Sequence, residues 1–399
     1  MSFTDQQSKP QATWLLVLIT STSVLATAII TPSLPGIAES FSVTPNSAQR
    51  VLTVYLMMLG LGQLVFGPLS DRFGRRLTLF AGLGLYLLGS VLASFAPHLE
   101  FLVLARSIQG LGASAALVLP RVIINDTHQP RAAAASLAAV TAAMAITPML
   151  SFPFGGILFE FFGWRGSMVV TTLLGVATIS ATLFLLQETN SVRQRRLRLV
   201  SVAVDYLSLT KNKQFLLLAT NLGLNTSIFY SFLNFLPFSF KHLGYSASEF
   251  GYYIMLFPTS FILGNLISRK LTPILGITKM VRMGSLMITA GMSVMAGLVF
   301  LGFESAWGLV LPGMVYSLAV GFSLPNATMG AINAVGRSVR GLGSGLAGSL
   351  QMLLGSGIAA STILLGAAED TRIGLGILLL VAIASFVTTL FLVDDSEDT

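Results

Sequence analysis

Gly67-Pro-Leu-Ser-Asp-Arg-Phe-Gly-Arg-Arg-Leu-Thr-Leu79 joins two long apolar runs through a short charged turn. Asp71, Arg72, Arg75 and Arg76 cannot rest in hydrocarbon, so the turn marks a membrane face. Gly67 and Gly74 allow close backbone approach and sharp bends, and Pro68 strains the end of the run before it. Basic residues alone would set topology. An acid between paired glycines asks for more, and the stretch reads as a structured latch.

The runs on either side belong to a chain of 399 residues that is 54% hydrophobic and 10% charged, with a mean hydropathy of +0.80. Uncharged stretches of about 20 residues match the roughly 30 Å of a bilayer core crossed as helix. They are too long, and lack the alternation, for barrel strands. The fold class is therefore an all-α polytopic membrane protein. Run length between charged or turn residues predicts twelve spans, at about 14–35, 47–69, 77–96, 100–121, 133–158, 166–187, 214–240, 249–268, 282–303, 306–328, 343–366 and 373–393. The apolar run after the polar Met1–Gln11 stretch has no clear cleavage site and reads as a retained helix.

Twelve spans place both termini on one side. With that side inside, four of the 23 Lys and Arg (Arg50, Arg165, Lys241 and Arg372) fall outside, Arg106 lies within a span, and the rest fall inside. The positive-inside rule then makes both termini cytoplasmic. The formal net charge of +7 is spread over these loops and does not form a nucleic-acid footprint. With no Cys in the chain, disulfides, thiol chemistry and Cys-ligated metals are excluded.

The longest polar interruption, 188–213, contains Arg193, Arg195, Arg196 and Arg198. It reads as a cytoplasmic linker, able to rest on anionic lipid, between six-helix halves at 1–187 and 214–399. A weak internal repeat supports two halves: Gly264-Asn-Leu-Ile-Ser-Arg269 follows the eighth span as Gly67-Pro-Leu-Ser-Asp-Arg72 follows the second. In the copy Ser268 stands where Asp71 does, so only one half keeps the charged device.

With the latch stand Leu104-Ala-Arg106-Ser-Ile-Gln109-Gly110, Arg121-Val-Ile-Ile-Asn-Asp126, Thr147-Pro148-Met-Leu-Ser-Phe-Pro153-Phe-Gly155-Gly156, Trp164-Arg165 and Glu188-Thr189. In this set and order, the sequence resembles the major facilitator superfamily, in particular its twelve-span drug:proton antiporters. The doubled proline of span five, Leu324-Pro325-Asn326-Ala327 and Gly345-Leu-Ala-Gly-Ser-Leu-Gln351 are similar to the bicyclomycin-resistance branch. The resemblance covers nearly the whole chain. It implies two pseudo-symmetric six-helix bundles that rock about a central site, a bacterial inner-membrane location, a monomer, no cofactor, and multidrug-type efflux driven by protons. It places Asp126 near Arg75, with Gly67, Asp71, Arg72, Gly74, Arg75 and Asp126 as a gate. It also implies a bend at Pro148, Pro153, Gly155 and Gly156 that packs on span eight.

Arg106 is costly in a span and is expected to face a cavity or a partner, with Gln109 one turn away on the same face. Asp71 is expected to face the amino-terminal end of span eleven, where the helix dipole favours an acid. Gln63, Tyr55, Asn225, Asn234, Tyr230 and Gln351 are the other candidates for lining a substrate path; interhelical hydrogen bonding is the competing role for each. The run Phe229 to Phe240 either binds aromatic solutes or meets lipid and the interfacial belt.

One departure stands out. Relatives of this branch carry an acid in the first span before a proline pair, and here Thr27-Ala-Ile-Ile-Thr-Pro32-Ser-Leu-Pro35 puts Ala28 at that position. Every Asp, Glu and His falls in a loop or at a span end. A lone buried arginine would make a positive cavity and favour anionic solutes, so export of an anionic metabolite or a carboxylate siderophore rivals drug efflux. An intramembrane enzyme would need converging acids, histidines or a nucleophile, and a channel a filter or charge ring; neither is visible.

Overall fold

A computed structural model describes residues 10–190, 206–336 and 340–393. Twelve spans cross it, numbered here α1 to α12. The first, α1 (Thr13–Ser40), is broken: its helix ends at Ala28, a 3₁₀ turn covers Thr31–Ser33, and Leu34–Ser40 resumes. Pro32 and Pro35 lack the N–H groups a continuous helix would need there. Next come α2 (Pro45–Phe73), α3 (Arg75–Ser94) and α4 (Leu99–Thr127). The long element Pro130–Leu185 leaves helical geometry only at Gly163, φ 65°, which divides it into α5 (130–162) and α6 (164–185).

The remaining spans are α7 (Lys213–His242), α8 (Ala247–Leu275), α9 (Ile277–Phe300), α10 (Ala306–Asn333), α11 (Arg340–Leu364) and α12 (Thr371–Leu390). All twelve expected spans are present. The first runs on to Ser40, because Leu34–Ser40 continues past the prolines. The ninth starts at Ile277 and takes Lys279 and Arg282 into its first turns.

The turn expected over 67–79 is one residue long. Gly67, Pro68, Asp71 and Arg72 all belong to α2, and Gly74, φ 97°, alone separates it from α3. Gly276, φ 80°, does the same between α8 and α9. Both are left-handed positions where a Cβ would be strained. Gly67 needs correcting as a close-approach residue, since a Cβ there would meet nothing within 4 Å.

The two bundles meet along α2–α11 and α5–α8. We call the side carrying Gly74 the latch end and the opposite side the far end. At the far end, Gly156 of α5 lies on the backbone of Ala247 and Gly251 of α8 on that of Phe152. There too Glu39 of α1 pairs with Lys241 of α7, and the Ser248 amide donates to Glu160 at 3.0 Å. A buried cluster containing Tyr55, Phe152, Phe232, Phe257 and Tyr316 runs across this junction. Of the expected linker, residues 191–205, with Arg193, Arg195, Arg196 and Arg198, lie outside the described residues.

Candidate functional site

A cavity of about 210 Å³ lies between the two bundles. From the first six spans come Ser23, Val24, Thr27 and Ala28 of α1, Leu59 of α2, Leu117 of α4, and Met144, Ala145, Pro148 and Phe152 of α5. The last six supply Thr226, Phe229, Tyr230 and Leu233 of α7, Pro258 and Phe261 of α8, Tyr316, Ser317, Val320 and Leu324 of α10, and Gln351 and Met352 of α11. Its walls differ. The first is mostly aliphatic or small, while the second carries four of the five aromatic rings and the polar group Gln351. Gln351 donates to Thr226 at 2.9 Å, and Tyr230 donates to the sulfur of Met352.

None of the lining residues is Asp, Glu, His, Lys or Arg. The break in α1 puts Ala28 on the wall, where the departure from the family pattern bears directly on the cavity. A central space that is largely apolar with a few convergent polar groups suits a small organic molecule. No lining set here offers ligands for a metal, and the described residues contain no group of three His, Cys, Asp or Glu placed to hold one.

Arg106 does not line this cavity. Its side chain is fully buried one layer behind it, inside the first bundle. Nε donates to Val51 O at 3.4 Å, Nη2 to Ala26 O at 3.1 Å, and Nη1 to Gln109 Oε1. The Tyr55 ring covers the guanidinium at 4.1 Å, a cation–π contact that offsets part of its desolvation. Gln109 passes the network to Ser90 at 2.6 Å, and Tyr55 donates to Ser23 O at 2.8 Å. One cation thereby ties α1, α2, α3 and α4 just below the break in α1. The positive cavity expected from a solvent-facing Arg106 is not what the geometry shows, because backbone carbonyls hold the charge inside the helix packing.

The second bundle has a neutral counterpart. Asn221 donates to Ser285 and Ser385 at 3.0 Å and Asn225 donates to Asn221 at 3.0 Å and Ser323 at 3.2 Å. Ser385 donates back to Asn225 at 2.6 Å and Tyr316 to the Asn225 carbonyl at 2.7 Å. These groups tie α7, α9, α10 and α12, and Asn225 is buried away from the cavity. Asn234 also lies off the cavity, bonded to Tyr230 O at 3.0 Å. Gln63 sits in the α2–α11 seam, its Oε1 3.0 Å from where a Cβ on Gly348 would stand. Of the six polar candidates besides Arg106 and Gln109, Tyr230 and Gln351 reach the cavity wall.

At the latch, Arg75 is the hub. It donates through Nε to Asp126 at 2.9 Å, and through Nη1 to Ser70 at 2.6 Å and to Asp71. Asp71 thus finds its cation on the next helix of its own bundle. Arg72 points outward over the Phe73 ring. Sequence reasoning quoted Glu188 without giving it a role and missed Asn190. Glu188 accepts from the Arg75 amide at 2.9 Å and the Arg76 amide at 3.3 Å, placing an acid on the positive end of α3. Asn190 donates to the Ser70 and Asp71 carbonyls at 3.3 and 3.0 Å, capping the end of α2. The residue after a hydrophobic span that can fill both roles is an acid followed closely by an amide, and Glu-Thr-Asn is such a signal. Beside the latch, burial and then the Asp71 carboxylate raise the Tyr206 hydroxyl above its ordinary pKa.

The span-five residues have separate surroundings. Pro148 lines the cavity, Gly155 lies on the Ile29 backbone at the α1 break, and Gly156 and Pro153 face α8. The Phe-rich run is mostly interior rather than lipid-facing: Phe232 packs edge-on to Tyr316 and Phe257, and Phe240 to Phe250.

The sequence pattern of the Major Facilitator Superfamily matches residues 16–360. Relatives include an uncharacterized MFS-type transporter, YdgK, of Bacillus subtilis (strain 168), 27% identical over 354 residues, covering 88% of this chain and 87% of that one. A bicyclomycin resistance protein homolog of Haemophilus influenzae is 25% identical over 282 residues, covering 68% and 69%. Among solved structures, a D-xylose-proton symporter superposes with a TM-score of 0.79 at 15% identity, covering 96% of this chain and 98% of that one.

Proposed function

The chain belongs to the Major Facilitator Superfamily and is a multi-pass membrane transporter, and from that premise we propose that it exports uncharged, aromatic-bearing small molecules by alternating access. The uncharged central cavity carries this reading. A fixed carboxylate would select cations and a fixed guanidinium anions; this wall has neither. Its aromatic side offers stacking surface, and Tyr230 with Gln351 offers hydrogen bonds to one polar edge of a solute. The resistance proteins among the relatives support outward transport. The one-sided distribution of Lys and Arg supports a latch end on the cytoplasmic side, and the family resemblance supports a bacterial inner membrane and a monomer as the working unit.

The resemblance implies proton drive, yet no Asp, Glu, His, Lys or Arg lines the cavity. On this reading any proton step acts outside it, and the latch carboxylates Asp71 and Asp126 gate the cycle. Export of an anionic metabolite or siderophore loses its supporting observation, because the guanidinium of Arg106 is spent on carbonyls and Gln109.

A thermal-shift panel on purified protein tests the reading. Neutral aromatic compounds should raise Tm, quaternary ammonium compounds and carboxylates should not, and Gln351→Ala should weaken the effect several-fold. Shifts from carboxylates alone would overturn it.

A further inference from the structure

A second space, a groove of about 510 Å³, opens at the far end between α2 and α11. It is graded. Asn46 and Arg50 stand at its mouth, within roughly 9 Å of the start of α2 at 1.5 Å per residue, while Met57, Ala360 and Ile363 line it with apolar surface. Arg50 donates to Glu100 at 2.7 and 2.8 Å, so the mouth presents one cation and one anion side by side, both well exposed.

The wall also holds polar groups without partners. Thr53 lines the groove, is 7% exposed, and its hydroxyl has no hydrogen-bond partner among the described residues. Asn46 Oδ1, also on the lining, shares that condition. Residues 46, 50, 53 and 57 fall on one helix face. Buried polar atoms left unpaired are costly, and a pair of them on the wall of an open groove calls for an occupant.

The geometry points to a zwitterionic phospholipid of the far-end leaflet as that occupant. Its phosphate would meet Arg50, its ammonium would donate to Glu100 and Asn46 Oδ1, and a glycerol-ester carbonyl would accept from the Thr53 hydroxyl, with one acyl chain along Met57, Ala360 and Ile363. The paired charges match a headgroup carrying both signs better than a purely anionic one. One wall belongs to each bundle, so bound lipid favours whichever arrangement keeps this seam open, by its differential affinity for the two states. The inference stands apart from the substrate reading, since it concerns a site outside the central cavity.

Native mass spectrometry in mild detergent, after adding phosphatidylethanolamine, phosphatidylcholine or phosphatidylglycerol, tests it. Wild-type protein should retain one phosphatidylethanolamine. Arg50→Ala and Ala360→Phe should each lower the retained fraction at least fivefold, and phosphatidylcholine, whose headgroup has no N–H to give Glu100, should be held less well. Ala360→Phe should keep the wild-type Tm, which shows that it folds. Equal retention in all three proteins, loss in only one variant, equal holding of phosphatidylglycerol, or photo-crosslinking of a transported solute to Met57 in place of lipid would overturn it.

Discussion

The two bundles solve the same two problems with different chemistry. Behind the cavity, the first uses a guanidinium held by carbonyls, Gln109 and Tyr55, while the second uses two asparagines and three serines. At the latch end the first links Asp71, Arg75 and Asp126. The second links Ser268, Thr272 and Asn326, with Asn326 donating to Ser268 at 2.9 Å and Thr272 donating to Asn326 at 3.0 Å. Charged networks are strong when complete and expensive when broken, whereas neutral ones lose less when a member is removed. The first bundle is therefore the one whose joints respond steeply to any change of charge, and the second is the steadier partner.

The sharpest way to break that contrast is Arg106→Ala. It strips partners from Ala26, Val51 and Gln109 together, and we expect a loss of about 3 kcal/mol or more in stability, as for breaking a buried charged network, with transport abolished. Thermal unfolding read beside uptake into vesicles checks both. Arg106→Met, which keeps bulk without charge, should recover part of the Tm and none of the transport. Asn221→Leu in the second bundle is the matched test. It should cost about 1–3 kcal/mol, the range for leaving buried hydrogen-bonding groups unsatisfied, and leave measurable transport.

At the latch, Arg75→Ala should exceed Asp71→Asn, because Arg75 serves Ser70, Asp71 and Asp126 while Asp71 is half exposed. For Asp71→Asn we expect about 0.5–1 kcal/mol, as for a partly exposed ion pair, seen as slower turnover with substrate affinity unchanged. Gly74→Ala should be harmful, since its φ of 97° is left-handed and a Cβ would press on the Glu188 carboxylate. Gly67→Ala should be neutral or stabilise by about 0.5–1 kcal/mol, the usual gain from replacing a helix-interior glycine. Measured Tm values for the two glycine variants would rank them directly.

Much of this architecture was legible in the sequence. Run lengths placed the spans, and Asp71 with its arginines between paired glycines marked where a latch would form, because hydropathy and charge act locally; the family resemblance added Asp126. What stayed hidden depends on which way a helix is turned. Arg106 reads as a cavity residue until the carbonyls of α1 and α2 are seen around it. Asn225 and Asn234 could not be told from wall residues for the same reason, whereas Tyr230 and Gln351 face inward. Glycines, charges and Pro68 also made the start of the 67–79 stretch look like a turn, whereas Pro68 sits inside a helix without ending it. The lost acid at Ala28 was readable and informative, because the cavity that contains it is uncharged.

The clasp made by Glu188 and Asn190 has a mechanical corollary. It fastens the chain leaving α6 to the ends of both α2 and α3, at the very elbow where Gly74 joins them. Loss of either contact would be felt first at this elbow, so the exit of α6 can throttle the cycle from outside the solute's route.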